Sequence, residues 1–558
     1  MPLSNKEIAK AFKVAGQLLE LHDENQFKVR SMQNAAFKIE RLPSPLETLS
    51  AEEIATIEGI GKTLQAKIGE LLEKQTFKEL EELRQRTPAG LLDILSIKGV
   101  GPKKARVLWK DLGVETVGEL LYACNENRLV ELKGFGSKTQ EQIRHAIEYA
   151  QSNAGKFLYA SADLVAQQLL TDINQANVVS EISLCGAMRR KCEIVESLDF
   201  VAVEKKENAL SEFLNSHPLI DAAELRATAS GLEGMIAGKI PFNIFLTTES
   251  DFAGELFMLT GSEKHLDLLK EKYAFTDVGE IKSEKEIYQS LKLPYFEPEL
   301  REGLREFEMI RDGRLPELVE MKDLKGILHN HTTYSDGAHT LEQMAKYCKE
   351  LGYEYLGVCD HSQTAFYANG LSPERILKQH EEIEKLNKTL SPFRILKGIE
   401  SDILSDGSLD YPDDILKSFD IVVASVHSVL KMDIEKATRR LIKAIENPYT
   451  DILGHPTGRL LLAREGYPLD HRAIIDACAA NGVVLEVNAN PYRLDLDWRW
   501  IPYALEKGVM ISINPDAHRM EGYADMYYGV CAARKGGLTK ENTFNALPLD
   551  KLLKELGG

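Results

Sequence analysis

Residues 326–337 read Gly-Ile-Leu-His-Asn-His-Thr-Thr-Tyr-Ser-Asp-Gly, a short apolar run that ends in His329 and His331 and turns at Asp336-Gly337. Two imidazoles at i and i+2 of a strand project to one face, and at the strand's C-terminal end both can bind one cation. Such a pair alone argues little, because surface and core histidines give the same spacing. Its recurrence argues more. Further apolar runs are Tyr355-Leu-Gly-Val-Cys-Asp-His361, Arg394-Ile-Leu-Lys-Gly-Ile-Glu400, Ile421-Val-Val-Ala-Ser-Val-His427, Asp451-Ile-Leu-Gly-His455, Val483-Val-Leu-Glu-Val-Asn488 and Val509-Met-Ile-Ser-Ile-Asn514. Counting the opening run as the first of seven, each of the first five delivers a His, Asp or Glu at its end, and the seventh leads into Asp516-Ala-His518. A packed barrel core does not call for ligand-type residues at nearly every strand end, so the pattern predicts a multinuclear metal site. Cations so placed acidify water and neutralise charge developing on a phosphate, which is the chemistry of hydrolysis.

Helical patterns lie between the runs, at Thr340 to Leu351, Pro373 to Leu390, Ile434 to Glu446 and Asp470 to Ala480. Seven β/α units in succession predict a parallel barrel with its chemistry at the C-terminal rim. His339, His380 and His471 are placed within helices, off the strand ends, and are set aside.

The whole chain, 558 residues, has room for roughly three or four domains. It contains no apolar run of membrane-spanning length, and Met1-Pro-Leu-Ser-Asn-Lys6 lacks the apolar stretch of a signal peptide, which predicts a cytoplasmic protein without membrane association. Seven scattered Cys with no CxxC pair fit reduced thiols. The net charge of −18 argues at first against nucleic acid. Residues 1–150, however, hold 22 Lys+Arg and 22 Asp+Glu, leaving 46 against 64 for the rest, so the acidity lies outside the N-terminal part. A solvated surface and carboxylates at a metal site account for it.

The first 150 residues read as all-helical with an internal repeat. Ile57-Glu-Gly-Ile-Gly-Lys62, Ile97-Lys-Gly-Val-Gly-Pro102 and Leu132-Lys-Gly-Phe-Gly-Ser137 share one turn pattern, each followed by an amphipathic helix. The paired glycines, Gly59 and Gly61, Gly99 and Gly101, Gly134 and Gly136, let backbone amides approach a phosphate, and the helix N-terminus behind them adds a favourable dipole. Lys62 and Lys67 follow the first turn; Lys103, Lys104 and Arg106 follow the second. The alternative is a set of small turns between bundle helices. These segments resemble helix-hairpin-helix units, which grip DNA backbones without reading sequence.

With Gln26-Phe-Lys-Val-Arg-Ser31 and Ala35, Ala36 and Phe37, the region is similar to the N-terminal domain of family X DNA polymerases. The resemblance puts Lys67 where lyase-active members carry a Schiff-base lysine; a solvated DNA contact or surface lysine is the plainer reading. From about residue 155 the pattern turns to mixed α/β. Cys185-Gly-Ala-Met-Arg-Arg-Lys-Cys-Glu-Ile-Val-Glu-Ser-Leu-Asp199 resembles the palm motif of that family, in which Gly-Ser-x-Arg-Arg leads to Asp-x-Asp. Polymerase chemistry needs that carboxylate pair and a third from a neighbouring strand to hold two Mg²⁺. Here the three positions are Ser197, Asp199 and Asn243. The nucleotide pocket has drifted too: Ala187 replaces Ser, Met258 and Leu259 replace an aromatic pair, and Leu266 stands where Asn is common, while Arg189, Arg190 and Glu193 remain. The expectation is a polymerase fold with a degenerate site, taking Mg²⁺ only if residual activity survives.

Leu293-Pro-Tyr-Phe-Glu-Pro-Glu-Leu-Arg-Glu302 resembles the end of the thumb, and Asp312-Gly-Arg-Leu-Pro316 links to the barrel. That order is similar to bacterial family X polymerases with a C-terminal polymerase and histidinol phosphatase (PHP) domain. It implies a helical lyase-like domain at 1–90, a fingers-like helix-hairpin-helix domain at 91–152, palm at 153–250, thumb at 251–315 and a (β/α)7 PHP barrel at 316–558. By the same resemblance up to three cations are bound: the first by His329, His331, Glu400 and Asp516, the second by Glu400, His427 and His455, the third by Asp336, His361 and His518. Imidazole and carboxylate donors suit Mn²⁺, Zn²⁺ or Fe²⁺, and the resemblance points to Mn²⁺. Glu400 and Asp516 are then catalytic, Asp360 and Asp402 orient ligands, and Arg459 and Arg493 meet phosphate, with surface solvation the alternative for both arginines. The resulting expectation is a monomeric metal-dependent phosphoesterase acting on gapped, nicked or 3′-ended DNA, as a 3′-5′ exonuclease, 3′-phosphoesterase or AP endonuclease. A gap-filling polymerase, a histidinol-phosphatase-type enzyme and a repair scaffold are the alternatives.

Overall fold

Side-chain caps and glycine turns divide the N-terminal residues into helices in the computed structural model, beginning with Asn5–Leu21, which Ser4 and Glu7 close with a capping box. The structure describes residues 3–557 apart from 43, 58, 126, 127, 131, 133 and 277–280, so Glu58 and Lys133 of the repeated turns lie outside it. In each turn the first glycine is left-handed, with φ of +83° at Gly59, +95° at Gly99 and +88° at Gly134, a conformation that strains any side chain. The second is different: a Cβ at Gly61, Gly101 or Gly136 would meet nothing within 4 Å. Packing does not require those three glycines, and they leave bare backbone in front of the helices Lys62–Lys74, Pro102–Leu112 and Ser137–Ser152. Phe12, Leu18, Ile68, Leu91, Leu108 and Ile143 belong to the core of this unit, which spans residues 1–154.

The second unit, residues 155–558, holds two larger sheets. A short antiparallel pair, β1 (Phe157–Leu158) with β3 (Ile194–Val195), precedes a five-stranded mixed sheet. Its strands are β2 (Val179–Leu184), β4 (Leu198–Glu204), β5 (Arg226–Thr228), β6 (Gly231–Ile236) and β7 (Ile240–Leu246), in the order β2-β4-β7-β6-β5. Parallel pairing of β4 with β7 sets Asp199 directly beside Asn243.

Seven parallel strands follow in strict sequence order: β8 (Gly326–Ile327), β9 (Tyr355–Val358), β10 (Arg394–Asp402), β11 (Ile421–Ser425), β12 (Ile452–Leu453), β13 (Val484–Asn488) and β14 (Ile511–Asn514). The first and last are joined beyond their ladders, where Asn330 bridges Ala517 and the His331 amide donates to the Ala517 carbonyl at 2.8 Å. The sheet is thus nearly closed, as seven β/α units require. Several strands are shorter than their apolar runs, and His361, His427 and His455 lie in the loops just past the ladders. The expected helices appear as Leu341–Glu350, Pro373–Leu390, Ile434–Ile445 and His471–Asn481, the first, third and last N-capped by Thr340, Asp433 and Asp470. His339 is a correction: it lies in the bend before the Thr340 cap, where it accepts from the Met520 amide, and not within a helix. Among the described residues no helix is long and apolar enough to cross a membrane.

At the opposite end of β12 the Asp451 carboxylate accepts the Val422 amide at 2.7 Å. Burial pushes this carboxyl up from 3.8 to about 7, the Val422 bond opposing only in part. A carboxyl raised in the folded state costs stability once it ionises, so its penalty grows as pH rises from the unfolded value through about 7. Asp451→Asn, which keeps the acceptor without the charge, is therefore expected to melt at a higher temperature than the parent at about pH 8 and with it at about pH 4. Parallel melts at the two pH values check this.

Candidate metal centre

Glu400 emerges at the inner face of β10 and is fully buried. Oε1 lies 3.0 Å from His455 Nε2, 3.2 Å from His427 Nε2 and 3.3 Å from His329 Nε2; Oε2 lies 2.9 Å from His361 Nδ1 and 3.6 Å from His331 Nε2. Asp516, left-handed at φ +51°, sets Oδ1 2.9 Å from His331 Nε2 and 3.7 Å from His329 Nε2. Asp336 Oδ1 stands 3.4 Å from His518 Nε2 and 3.6 Å from His361 Nε2. All nine predicted ligands thus form one contiguous cluster. Its grouping departs from the expected one, because His331 also falls with Asp336, His361 and His518, and His361 falls with Glu400 and His427, each set offering donor atoms within 4.8 Å of one another.

Burial grades across the cluster. His329, His331, Glu400 and His455 are at most 1% exposed, whereas the Asp336 and His518 side chains keep 30% and 40%, so the third set faces the opening.

The electrostatics call for positive charge. Burial works against ionised Glu400, yet His427, His329 and His361 hold its carboxyl well below the usual range. Burial also opposes charge on His427, and Glu400 and Asp402 overcome it, lifting this imidazole to about 10. His518, likewise resisted by burial, is raised to about 9 by Asp336 and Asp516. His331 goes the other way, to about 3, through burial and the neighbouring His518 and His361. His329 Nε2, completely buried, makes no hydrogen bond although it faces Glu400 and Asp516. A buried nitrogen without a hydrogen bond, aimed between two carboxylates and ringed by imidazoles, is the donor set that a divalent cation fits.

The supporting contacts explain the ligand orientations. Asp402 Oδ1 takes His427 Nδ1 at 2.6 Å, as expected. Asp360 orients no imidazole. It gathers the amides of Thr332 and Ser335, the Thr332 hydroxyl and Gln379 Nε2, fixing the loop after His331. Glu486 is the residue that sequence reasoning missed: Oε1 lies 2.7 Å from His329 Nδ1, and Oε2 accepts the His455 amide at 2.8 Å. Its signal was present, since it is an acid inside an apolar run, two positions before Asn488 and so on the same face. Arg493 Nε is 3.7 Å from Asp516 Oδ2. Arg459 is a correction. Its three nitrogens donate to the Arg493 carbonyl at 2.9 Å, to Asp497 at 2.7 Å and to the Leu494 carbonyl, so it braces a loop and is not poised for phosphate.

The palm-like sheet contains no comparable cluster among the described residues. Asp199 accepts Asn243 Nδ2 at 2.7 Å and the Ser197 hydroxyl at 2.9 Å, so its two neighbours are donors where carboxylates would be needed. Arg189 pairs bidentately with Glu284, and Arg190 with Glu302 and the Thr260 carbonyl. In the N-terminal unit Lys62 and Lys103 are exposed, while Lys104 donates to the Gly99 carbonyl at 3.1 Å. Lys67 is not the solvated lysine expected: only 14% exposed, it lies over the Phe77 ring and pairs with Glu79 at 2.5 Å.

Helical turns with bare glycine backbone, a mixed α/β sheet and a barrel mouth of buried imidazoles and acids compatible with metal binding define a multidomain architecture. Comparison with known proteins agrees. Residues 3–77 match the helix-hairpin-helix domain family, residues 91–148 the SAM-like helix-hairpin-helix tandem and residues 328–490 the PHP domain. The DNA polymerase/3′-5′ exonuclease PolX of Bacillus subtilis is 36% identical over 567 residues, covering 98% of each chain. The chain belongs to the PolX family. Over the barrel it is also similar to probable phosphatases, at 28% identity with one from Thermoanaerobacter (39% of this chain, 88% of the relative) and 32% with one from Clostridium acetobutylicum (34% and 78%).

Since Glu486 fixes both His329 and the His455 backbone, Glu486→Gln is expected to weaken divalent-cation affinity by about 10-fold to 100-fold with the fold intact, read by chelator competition.

Proposed function

We propose that the protein hydrolyses DNA phosphodiesters at 3′ ends in the barrel, as a 3′-5′ exonuclease or 3′-phosphoesterase, while the palm-like region no longer polymerises. The observation that carries this is the contrast between the two centres. Nine ligand-type side chains converge on the barrel mouth, whereas Asp199 is capped by Asn243 and Ser197. The name of the Bacillus subtilis relative supports action on DNA, and the glycine turns support a grip on its backbone. We read residues 1–90 and 91–152 as the DNA-gripping domains, 153–250 as palm, 251–315 as thumb and 316–558 as the hydrolytic barrel.

His329, His331, Asp336, His361, Glu400, His427, His455, Asp516 and His518 would hold the cations, with Mn²⁺ favoured over Zn²⁺ and Fe²⁺. When bound, such ions supply an acidic water and positive charge for the phosphate oxygens. The protein does the rest. Glu400 and Asp516, kept ionised, present fixed negative charge at the floor, and Glu486 and Asp402 hold His329 and His427 at Nδ1, leaving each Nε2 directed inward. Arg493, beside Asp516, orients the phosphate from the rim. The more exposed Asp336 and His518 mark the side from which a DNA end enters. A small-molecule phosphatase would use the same mouth but would leave three glycine turns without a role.

His331→Ala or Asp516→Ala is expected to abolish Mn²⁺-dependent release of nucleotides from a 3′-labelled duplex. Wild-type protein is expected to add no dNTP to a one-nucleotide gap above background. Normal cleavage by either variant, or primer extension that Asp199→Ala stops, would refute the proposal.

A further inference from the structure

Glu193 belongs to the palm motif, yet its carboxylate meets the barrel. Oε2 accepts Trp498 Nε1 at 3.1 Å and Oε1 accepts Arg499 Nη1 at 2.8 Å. The contacts continue inward. Arg499 Nη1 also donates to Asp497 Oδ1 at 3.0 Å; Asp497 Oδ2 accepts Arg459 Nη1 at 2.7 Å; Arg459 Nε donates to the Arg493 carbonyl at 2.9 Å. Arg493 Nε then lies 3.7 Å from Asp516 Oδ2, at the metal cluster. The Glu193, Asp497 and Arg459 side chains are 12%, 22% and 15% exposed and Arg499 between them 49%, so the inner Asp497–Arg459 bond is sheltered from solvent and the outer link is half-open. Apolar packing runs beside it: Leu158 of β1 shares a buried cluster with Leu461, Leu494 and Ala532 of the barrel, and Ile194 packs against it.

The loop so held is also tied by the Leu461 amide on the Tyr492 carbonyl at 2.7 Å and by the Thr457 amide and hydroxyl on the Asp495 carboxylate at 2.9 Å. Its base is closed by the Asn488 amide on the Asp495 carbonyl at 2.6 Å and its tip by the Arg493 amide on the Asn490 carbonyl at 2.7 Å. None of these bonds fixes the Arg493 guanidinium relative to Asp516. The brace through Arg459 and Asp497 adds a hold on the Arg493 carbonyl, the backbone from which the guanidinium reaches Asp516, and its outer end is Glu193.

We infer that Glu193 is a positioning residue for the barrel reaction, holding Arg493 at the cation cluster through Arg499, Asp497 and Arg459. A palm that has lost its own carboxylates thus serves hydrolysis by fixing a phosphate-binding arginine. A displacement of well under the length of a bond is enough to slow a reaction that depends on such a contact. The inference rests on the proposed role of Arg493.

An ordinary interface ion pair would stabilise the fold without acting through Arg493, and a double-mutant cycle on the full-length protein separates the two. Glu193→Ala is expected to lower kcat/KM on a 3′-labelled duplex about tenfold, but to add less than about twofold in an Arg493→Ala background. Glu193→Gln, which can still accept from Arg499, is expected to retain more activity than Glu193→Ala, and both are expected to keep the parent's metal content. If Glu193→Ala does not fold, Arg499→Gln breaks the same link from the barrel side. A single variant indistinguishable from the parent, losses that multiply in the double variant, or metal loss would each overturn this inference alone. A parent that releases no nucleotide would overturn the proposed function and this inference with it.

Discussion

A carboxylate fully removed from water must be met by positive charge, and Glu400 is that group here. Five imidazoles reach it, from the ends of four different strands, within 3.6 Å. The rest of the cluster requires β8 and β14 to come together, because Asp516 stands beside His329 and His331 and His518 stacks on His331. The closing bridge of Asn330 with Ala517 is therefore as much a part of the centre as any ligand. The burial of Glu486 and Asp402 behind the imidazoles follows from the same demand.

The β4–β7 pair shows the contrasting case, a carboxylate met by hydrogen-bond donors in place of imidazoles. In the β4–β7 pair the register is intact and Asp199 still faces its neighbour strand, but Asn243 and Ser197 satisfy it by hydrogen bonds. A lone carboxylate with two donors is comfortable without a cation. Arg189 and Arg190, in turn, have acids of their own in Glu284 and Glu302. The fold persists because strand pairing and packing do not depend on metal ligands.

Much of this was legible in the sequence where the signal is periodic. Apolar runs ending in His, Asp or Glu located the barrel and the side chains that cluster at its mouth, and caps such as Thr340 and Asp470 lay where the helices begin. Contacts set by distant parts of the chain were not legible. Nothing local in the sequence shows that Asp497 and two carbonyls in the next loop take the donors of Arg459 and turn it from a phosphate. Lys67 looked like surface until Phe77 and Glu79 folded over it. Glu486 hid inside a strand read as apolar, and Glu193 meets a partner 306 positions away.

Cations are expected to gather at the barrel mouth and nowhere in the palm-like sheet. Anomalous diffraction at the manganese edge, from crystals of the full chain grown with Mn²⁺ and a 3′-ended oligonucleotide, tests it most directly. Peaks are expected among Glu400, Asp516 and the surrounding imidazoles, with none at Asp199. A peak at Asp199, or an empty barrel mouth, would contradict it.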